Sequence, residues 1–177
     1  MKMNKNAQVW IETVLYTIIG LALIATVLTF ITPKINETRD KIVIEQSIQS
    51  LQVLDDKIQE VISDGTGSKR VIKEFNLKRG ELLIDPVGNR IILSINDLDY
   101  LYSESGSQID FGRIKITSGE GQRDKYINLE LNYKSNTLKY EDVNEQKKIS
   151  AASTPYTLSL ESKNDDNVNY VNIVIER

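Results

Sequence analysis

The pattern of apolar and polar positions divides the chain into three stretches. From Thr13 to Thr32 the run "TVLYTIIGLALIATVLTFIT" carries no charge, and the flanking charges are Glu12 and Lys34. Its length is the roughly twenty residues that a helix needs to cross the apolar layer of a bilayer. Gly20 is its only glycine and no proline interrupts it. Trp10 and Tyr16 stand where aromatic side chains anchor a span at the headgroup level.

A helical period continues beyond Pro33. Ile44, Ile48, Leu51, Leu54 (or Asp55 in strict phase), Ile58 and Ile62 recur three or four apart, with Glu45, Gln46, Gln49, Gln52, Asp56, Lys57, Gln59 and Glu60 between them. That spacing predicts an amphipathic helix with one apolar stripe. The "SDGTGS" stretch, with Gly65 and Gly67, ends it. One nearly continuous helix is therefore expected from Val9 to Ser63, kinked or locally unwound at Pro33, where proline removes a hydrogen bond and crowds the preceding turn.

From Val71 onward the period shortens to two. In "YINLELNY", Ile127, Leu129, Leu131 and Tyr133 share one face and Asn128, Glu130 and Asn132 the other. Tyr156, Leu158 and Leu160 form a second apolar row, and Val171, Ile173 and Ile175 a third. Shorter strands are expected at 71–77, 81–84, 90–95, 113–117 and 137–140. Turn residues separate the strands at Asp85–Asn89, Ser118–Gln122, Lys134–Asn136 and Asn164–Asn167. The expected fold is α+β: a long N-terminal helix, apolar in its first half and amphipathic in its second, packed on a C-terminal antiparallel β-sheet or small β-sandwich head.

Composition narrows the chemistry. Among 177 residues there is no Cys and no His, which removes thiol nucleophiles, disulfides, Ser-His-Asp triads and nearly all zinc sites. Net charge is -3 with both signs dispersed, so no nucleic-acid footprint is expected. Asp97 with Asp99, and Asp165 with Asp166, read as solvated loop carboxylates. The Asn164–Asn167 turn offers oxygen ligands but lacks the spacing and glycine of an EF-hand loop. Gly119 and Gly121 are followed by no Gly-Lys-Ser/Thr sequence, so they make no phosphate loop. Neither a catalytic constellation nor a cofactor or metal is expected. Asn36-Glu37-Thr38 is an N-glycosylation acceptor pattern that marks Asn36.

The apolar run exceeds the core of a cleaved secretory signal, and Pro33-Lys34-Ile35 follows it directly in place of a small-x-small site. Lysines and arginines flank it on both sides, so charge alone leaves its orientation open. A carboxylate at its edge is costly near hydrocarbon and needs a partner or a purpose.

The stretch "KNAQVWIE", Lys5 to Glu12, addresses that carboxylate. A short basic leader, a small residue, and then an uncharged stretch with a glutamate at its fifth position resemble a class III signal peptide. This signature belongs to type IV pilins, and Ala before the junction with Gln after it is similar to the archaeal version. Asn6 stands where archaeal leaders usually carry Lys or Arg, with Lys5 one position earlier. The resemblance covers the leader and the helix, and no motif of the head takes part in it.

The resemblance implies a division into leader (1–7), apolar transmembrane or filament-core helix (8–33), amphipathic continuation (34–63) and β head (64–177). It implies cleavage by a prepilin peptidase between Ala7 and Gln8, which makes Glu12 the fifth mature residue. Glu12 would then pair with the new amine of Gln8, on a neighbour or on its own chain. The implied partners are further pilin copies, the peptidase, an assembly ATPase, a membrane platform protein and, before assembly, membrane lipid. The implied location is the cell membrane with the head outside, and then a surface filament. Two other readings stand beside it. One is a single-pass anchored protein whose β ectodomain binds a ligand or partner, with Glu12 at the lipid–water boundary. The other is an enzyme domain on a membrane stalk, for which the carboxylates show no converging pattern.

Overall fold

The computed structural model describes residues 5–122, 124–133, 137–165 and 168–176, with backbone alone for 5–8 and 137. Among the described residues one helix, α1 (Lys5–Asp64), is followed by ten strands: β1 (Lys69–Phe75), β2 (Glu81–Asp85), β3 (Arg90–Leu98), β4 (Gln108–Phe111), β5 (Ile114–Glu120), β6 (Lys125–Asn132), β7 (Thr137–Tyr140), β8 (Lys147–Ser150), β9 (Tyr156–Asp165) and β10 (Val168–Glu176). The fold is α+β with a β-sheet head, as the periodicities predict. The chain forms two compact units, Met1–Arg39 and Asp40–Arg177.

The second unit holds the core. Ile44, Ile48, Leu51, Leu54, Ile58 and Val61 of α1 are buried. Val61 takes the place expected for Ile62, which is only partly buried at the edge of the core. The buried positions 44, 48, 51, 54, 58 and 61 repeat every ~3.5 residues rather than every ~3.6, so the buried stripe winds slowly around the helix and reaches Val61 in place of Ile62. Helix α1 stops as predicted. Gly65 adopts φ +81°, the left-handed conformation that closes a helix, and Ser68 Oγ donates to the Val61 carbonyl at 2.8 Å.

The strands form two sheets. A four-stranded sheet has the order β1-β9-β10-β7, and a six-stranded sheet the order β4-β5-β6-β3-β2-β8. Leu158, Leu160, Val171 and Ile173 of the first sheet share one apolar cluster with Leu82, Leu93, Ile116 and Leu129 of the second and with the α1 stripe. The sequence reading identifies the long strands and differs in four respects. First, β7 pairs with β10 in parallel, an order set by which edge is free and not by either strand's alternation. Second, β4 and β8 escape the periodicity, since each has only four residues and carries charge. Third, β5 runs through the predicted Ser118–Gln122 turn to Glu120, paired with Lys125–Ile127. Gly119 belongs to the strand because a side chain there would lie 2.4 Å from the Tyr126 ring packed over it. Fourth, β1 begins at Lys69 and ends at Phe75. At Pro33 the helix is assigned without interruption, so the local unwinding does not occur. The predicted turn at Lys134–Asn136 lies outside the described residues, as do Asp166 and Asn167 of the Asn164–Asn167 turn.

Candidate membrane and assembly segment

Helical structure over residues 9–32 follows from an unbroken run of apolar residues without internal proline. Every large apolar side chain of the segment is exposed, with Trp10 at 69% and Phe30 at 73%. None of its most apolar window is buried within the chain. By length and composition it is long and apolar enough to cross a membrane. Soluble chains rarely leave so large a continuous apolar surface uncovered.

The threonine hydroxyls and main-chain N–H groups of this segment are satisfied within helix α1. Its main chain is helical, so its amides are bonded within the segment. Thr13, Thr17, Thr26, Thr29 and Thr32 each donate a hydroxyl to the carbonyl four residues earlier, at 2.8–2.9 Å. These bonds remove the cost of placing a hydroxyl in hydrocarbon. The sequence gives the spacing of these threonines, while the bonds require the helix.

The residues predicted for processing and assembly lie at the start of this helix. Ala7 and Gln8 belong to the first turns of α1, and their side chains are outside the described residues. Glu12 follows Gln8 by four positions, so the two residues share a helix face. Asn36 lies in the same unit, helical and half-buried. The hydroxyl of Thr38, the third residue of the acceptor pattern, donates to the Lys34 carbonyl at 2.8 Å. These sites are brought together only by sequence proximity on one helix.

The head spends its buried carboxylates on structure. Asp40 accepts from Arg79 Nη1 at 2.7 Å and from the Asp99 amide at 2.6 Å, which ties α1 to the ends of the β1–β2 and β3 segments. Asp55 accepts from the Tyr133 hydroxyl at 2.8 Å and pairs with Arg113 Nε at 3.1 Å. Asp85 accepts from Arg90 Nε, Gln146 Nε2 and the Gly88 amide. Burial opposes ionisation of Asp85, but these three donors outweigh it and hold the carboxyl below the usual range. Asp99 is an exposed loop carboxylate as expected, whereas Asp97, also exposed, lies within β3 at its irregular end and pairs with Arg79 at 3.7 Å. Asp165 is exposed and pairs with Lys139 Nζ at 3.1 Å. Among the described residues no cluster of carboxylates could hold a metal ion.

Sequence reasoning marked Asp55 only as the strict-phase alternative to Leu54, and it did not single out Asp40 or Asp85. Only Asp55 left a signal, a carboxylate in phase with an apolar stripe. Several clefts open on the head, among them the following two. One, of about 320 Å³, lies between Gln49 and Val53 of α1 and Phe75 with Lys78. The other, of about 630 Å³, lies between β8 and the Tyr156 and Ile175 side chains of the other sheet.

Comparison with protein-family models, with curated proteins and with solved structures finds no match for this chain.

Proposed function

We propose that this protein is a structural subunit, a pilin or pilin-like chain that assembles through its apolar N-terminal helix into a type IV pilus-like surface filament. One observation carries the reading: a fully uncovered apolar helix over residues 9–32 begins beside Glu12, five residues into the stretch that follows a leader-like Ala7–Gln8 junction. In this reading a prepilin peptidase cuts between Ala7 and Gln8. The precursor sits in the membrane with its head outside. An assembly ATPase and a platform protein then move subunits from lipid into a filament whose core is made of the apolar helices.

Cleavage would place a new charge on the same helix face as Glu12. The new amine of Gln8 carries positive charge one helical turn from the Glu12 carboxylate, and the helix N-terminus adds favourable partial charge. In a dry core the pair adds little net stability, because desolvation offsets attraction, but a subunit in the wrong register would leave a charge unpaired. The second reading, an anchored surface protein with a binding ectodomain, draws on the same uncovered helix and assigns Glu12 to the lipid–water boundary.

The N-terminal residue of the chain isolated from its native membrane or surface fraction separates the two. A chain beginning at Gln8 supports the filament subunit. A chain that retains Met1 or Lys2 overturns it in favour of the anchor.

A further inference from the structure

The six-stranded sheet ends in β4 on one side and β8 on the other, and neither outer edge pairs with a strand among the described residues. The two edges are level. Lys148 leads across the sheet through Leu83, Ile92, Glu130 and Lys115 to Asp110. The next row leads from Ile149 through Leu82, Leu93, Leu129 and Ile116 to Ile109. The polar row beside it joins Ser150 to Gln108 in the same way. All five steps are antiparallel, so β8 and β4 run in opposite directions.

We infer that β4 of one copy pairs with β8 of the next, continuing the six-stranded sheet from head to head. A second copy shifted across the sheet presents its β4 antiparallel to β8, with Asp110 opposite Lys148, Ile109 opposite Ile149 and Gln108 opposite Ser150. The main-chain groups fit this register. The Ser150 carbonyl faces away from β2, where the Tyr156 hydroxyl already takes one of its two lone pairs at 2.7 Å and an incoming amide would take the other, and the groups of Lys148 face the same way. On β4 the two-residue loop Gly112–Arg113 closes on Phe111 and Ile114, which leaves the groups of Asp110 facing outward. Asp110 and Lys148 would then exchange a pair of backbone hydrogen bonds as well as meeting in charge.

The side chains agree. On the outer face the row already alternates Glu130, Lys115 and Asp110, and Lys148 of the next copy continues the alternation. On the core face Ile109 is 41% exposed although its row is otherwise buried. It would enter the 630 Å³ cleft beside Ile149, Tyr156 and Ile175. Like edges are disfavoured: two β8 strands would oppose Lys147 and Lys148 to each other, and two β4 strands would bring Asp110 together with its copy. A contact between unlike edges does not close on itself and builds an open array, which the sheet's own twist turns into a helical one. The inference deepens the filament reading and rests on it for bringing heads side by side.

The absence of cysteine from the chain makes the contact directly testable. Opposed residues in a hydrogen-bonded antiparallel pair lie within disulfide reach. Full-length chain carrying Gln108→Cys and Ser150→Cys, oxidised with diamide in its native membrane and surface fraction, is expected to give a ladder of linked oligomers on a non-reducing gel. Each single variant is expected to stay monomeric. Adding Asp110→Lys to the pair is expected to cut the ladder at least ~tenfold, since it opposes like charges, and Lys148→Asp is expected to restore it. No ladder from the double variant, dimers from either single variant, or a ladder indifferent to Asp110→Lys each overturns the inference. Filaments of chains beginning at Gln8 that give no ladder remove the edge contact and leave the filament reading in place. A ladder from chains that retain Met1 keeps the contact and removes the pilin reading.

Discussion

The Tyr133 hydroxyl donates a 2.8 Å hydrogen bond to Asp55 Oδ1, joining the end of β6 to the C-terminal part of α1 inside the head. Arg113 completes the group, with its guanidinium 5.4 Å from the Tyr133 ring centre and its Nε 3.1 Å from Asp55 Oδ2. Tyr133→Phe keeps the ring and removes one donor from a buried carboxylate. The expected cost is about 1–3 kcal/mol, read as a lower denaturation midpoint with an unchanged slope. An unchanged midpoint would mean that Arg113 and Gln59, whose Nε2 donates to Asp55 Oδ1 at 3.5 Å, alone satisfy Asp55.

Stability is expected to fall at both pH extremes. Burial, reinforced by the Asp55 charge, raises the Tyr133 pKa. Burial together with Glu141 pushes Tyr140 up to about 12. Both exceed the unfolded value of 10.0, so their contribution is complete below that pH and is lost as pH rises above it. Asp85 and Asp142 are held below 3.8, Asp142 chiefly by Lys163. Their contribution is present above that value and disappears as pH falls below it. Thermal melts across pH test this, and a melting temperature flat from neutral pH to pH 11 would contradict the alkaline limb.

Gly80 sits at φ +90°, and a Cβ there would lie 2.2 Å from the Ser94 carbonyl oxygen. Gly80→Ala combines a left-handed backbone with a clash against main chain. It is expected to cost roughly 2–4 kcal/mol, whereas Gly20→Ala, in open helical space, should leave head stability unchanged. Equal effects in denaturation of the two variants would refute the assignment.

Deletion of residues 1–33 should yield a soluble folded head, because the buried core begins at Ile44 and the apolar helix contributes nothing to it. Circular dichroism and dispersed amide resonances are the check, and an insoluble product would mean that the head depends on the apolar segment.

Glu12→Ala should leave membrane insertion intact, since it makes the segment more apolar, and should reduce filament yield. Normal yield from the variant, counted by electron microscopy of sheared surface material, would exclude a pairing role for Glu12.

The sequence by itself determined the elements whose cause is local. Twenty-one uncharged residues between Glu12 and Lys34, twenty of them before Pro33, specify an apolar helix of membrane-spanning length. Gly65 and Gly67 stop the amphipathic half, and strict alternation in Tyr126–Tyr133 places Leu129 and Leu131 in the core. Each follows from period, propensity or the cost of apolar exposure, and all of these act within a few residues. Only the tertiary structure decided what depends on residues distant in sequence. It set the division of ten strands into two sheets and the parallel pairing of β7 with β10, since a free edge is a property of the finished sheet. It selected Asp40, Asp55 and Asp85 for burial, because a carboxylate is tolerated inside only where donors from other elements converge. It also set β4 and β8 level at opposite edges, through five registers that no short stretch of sequence encodes.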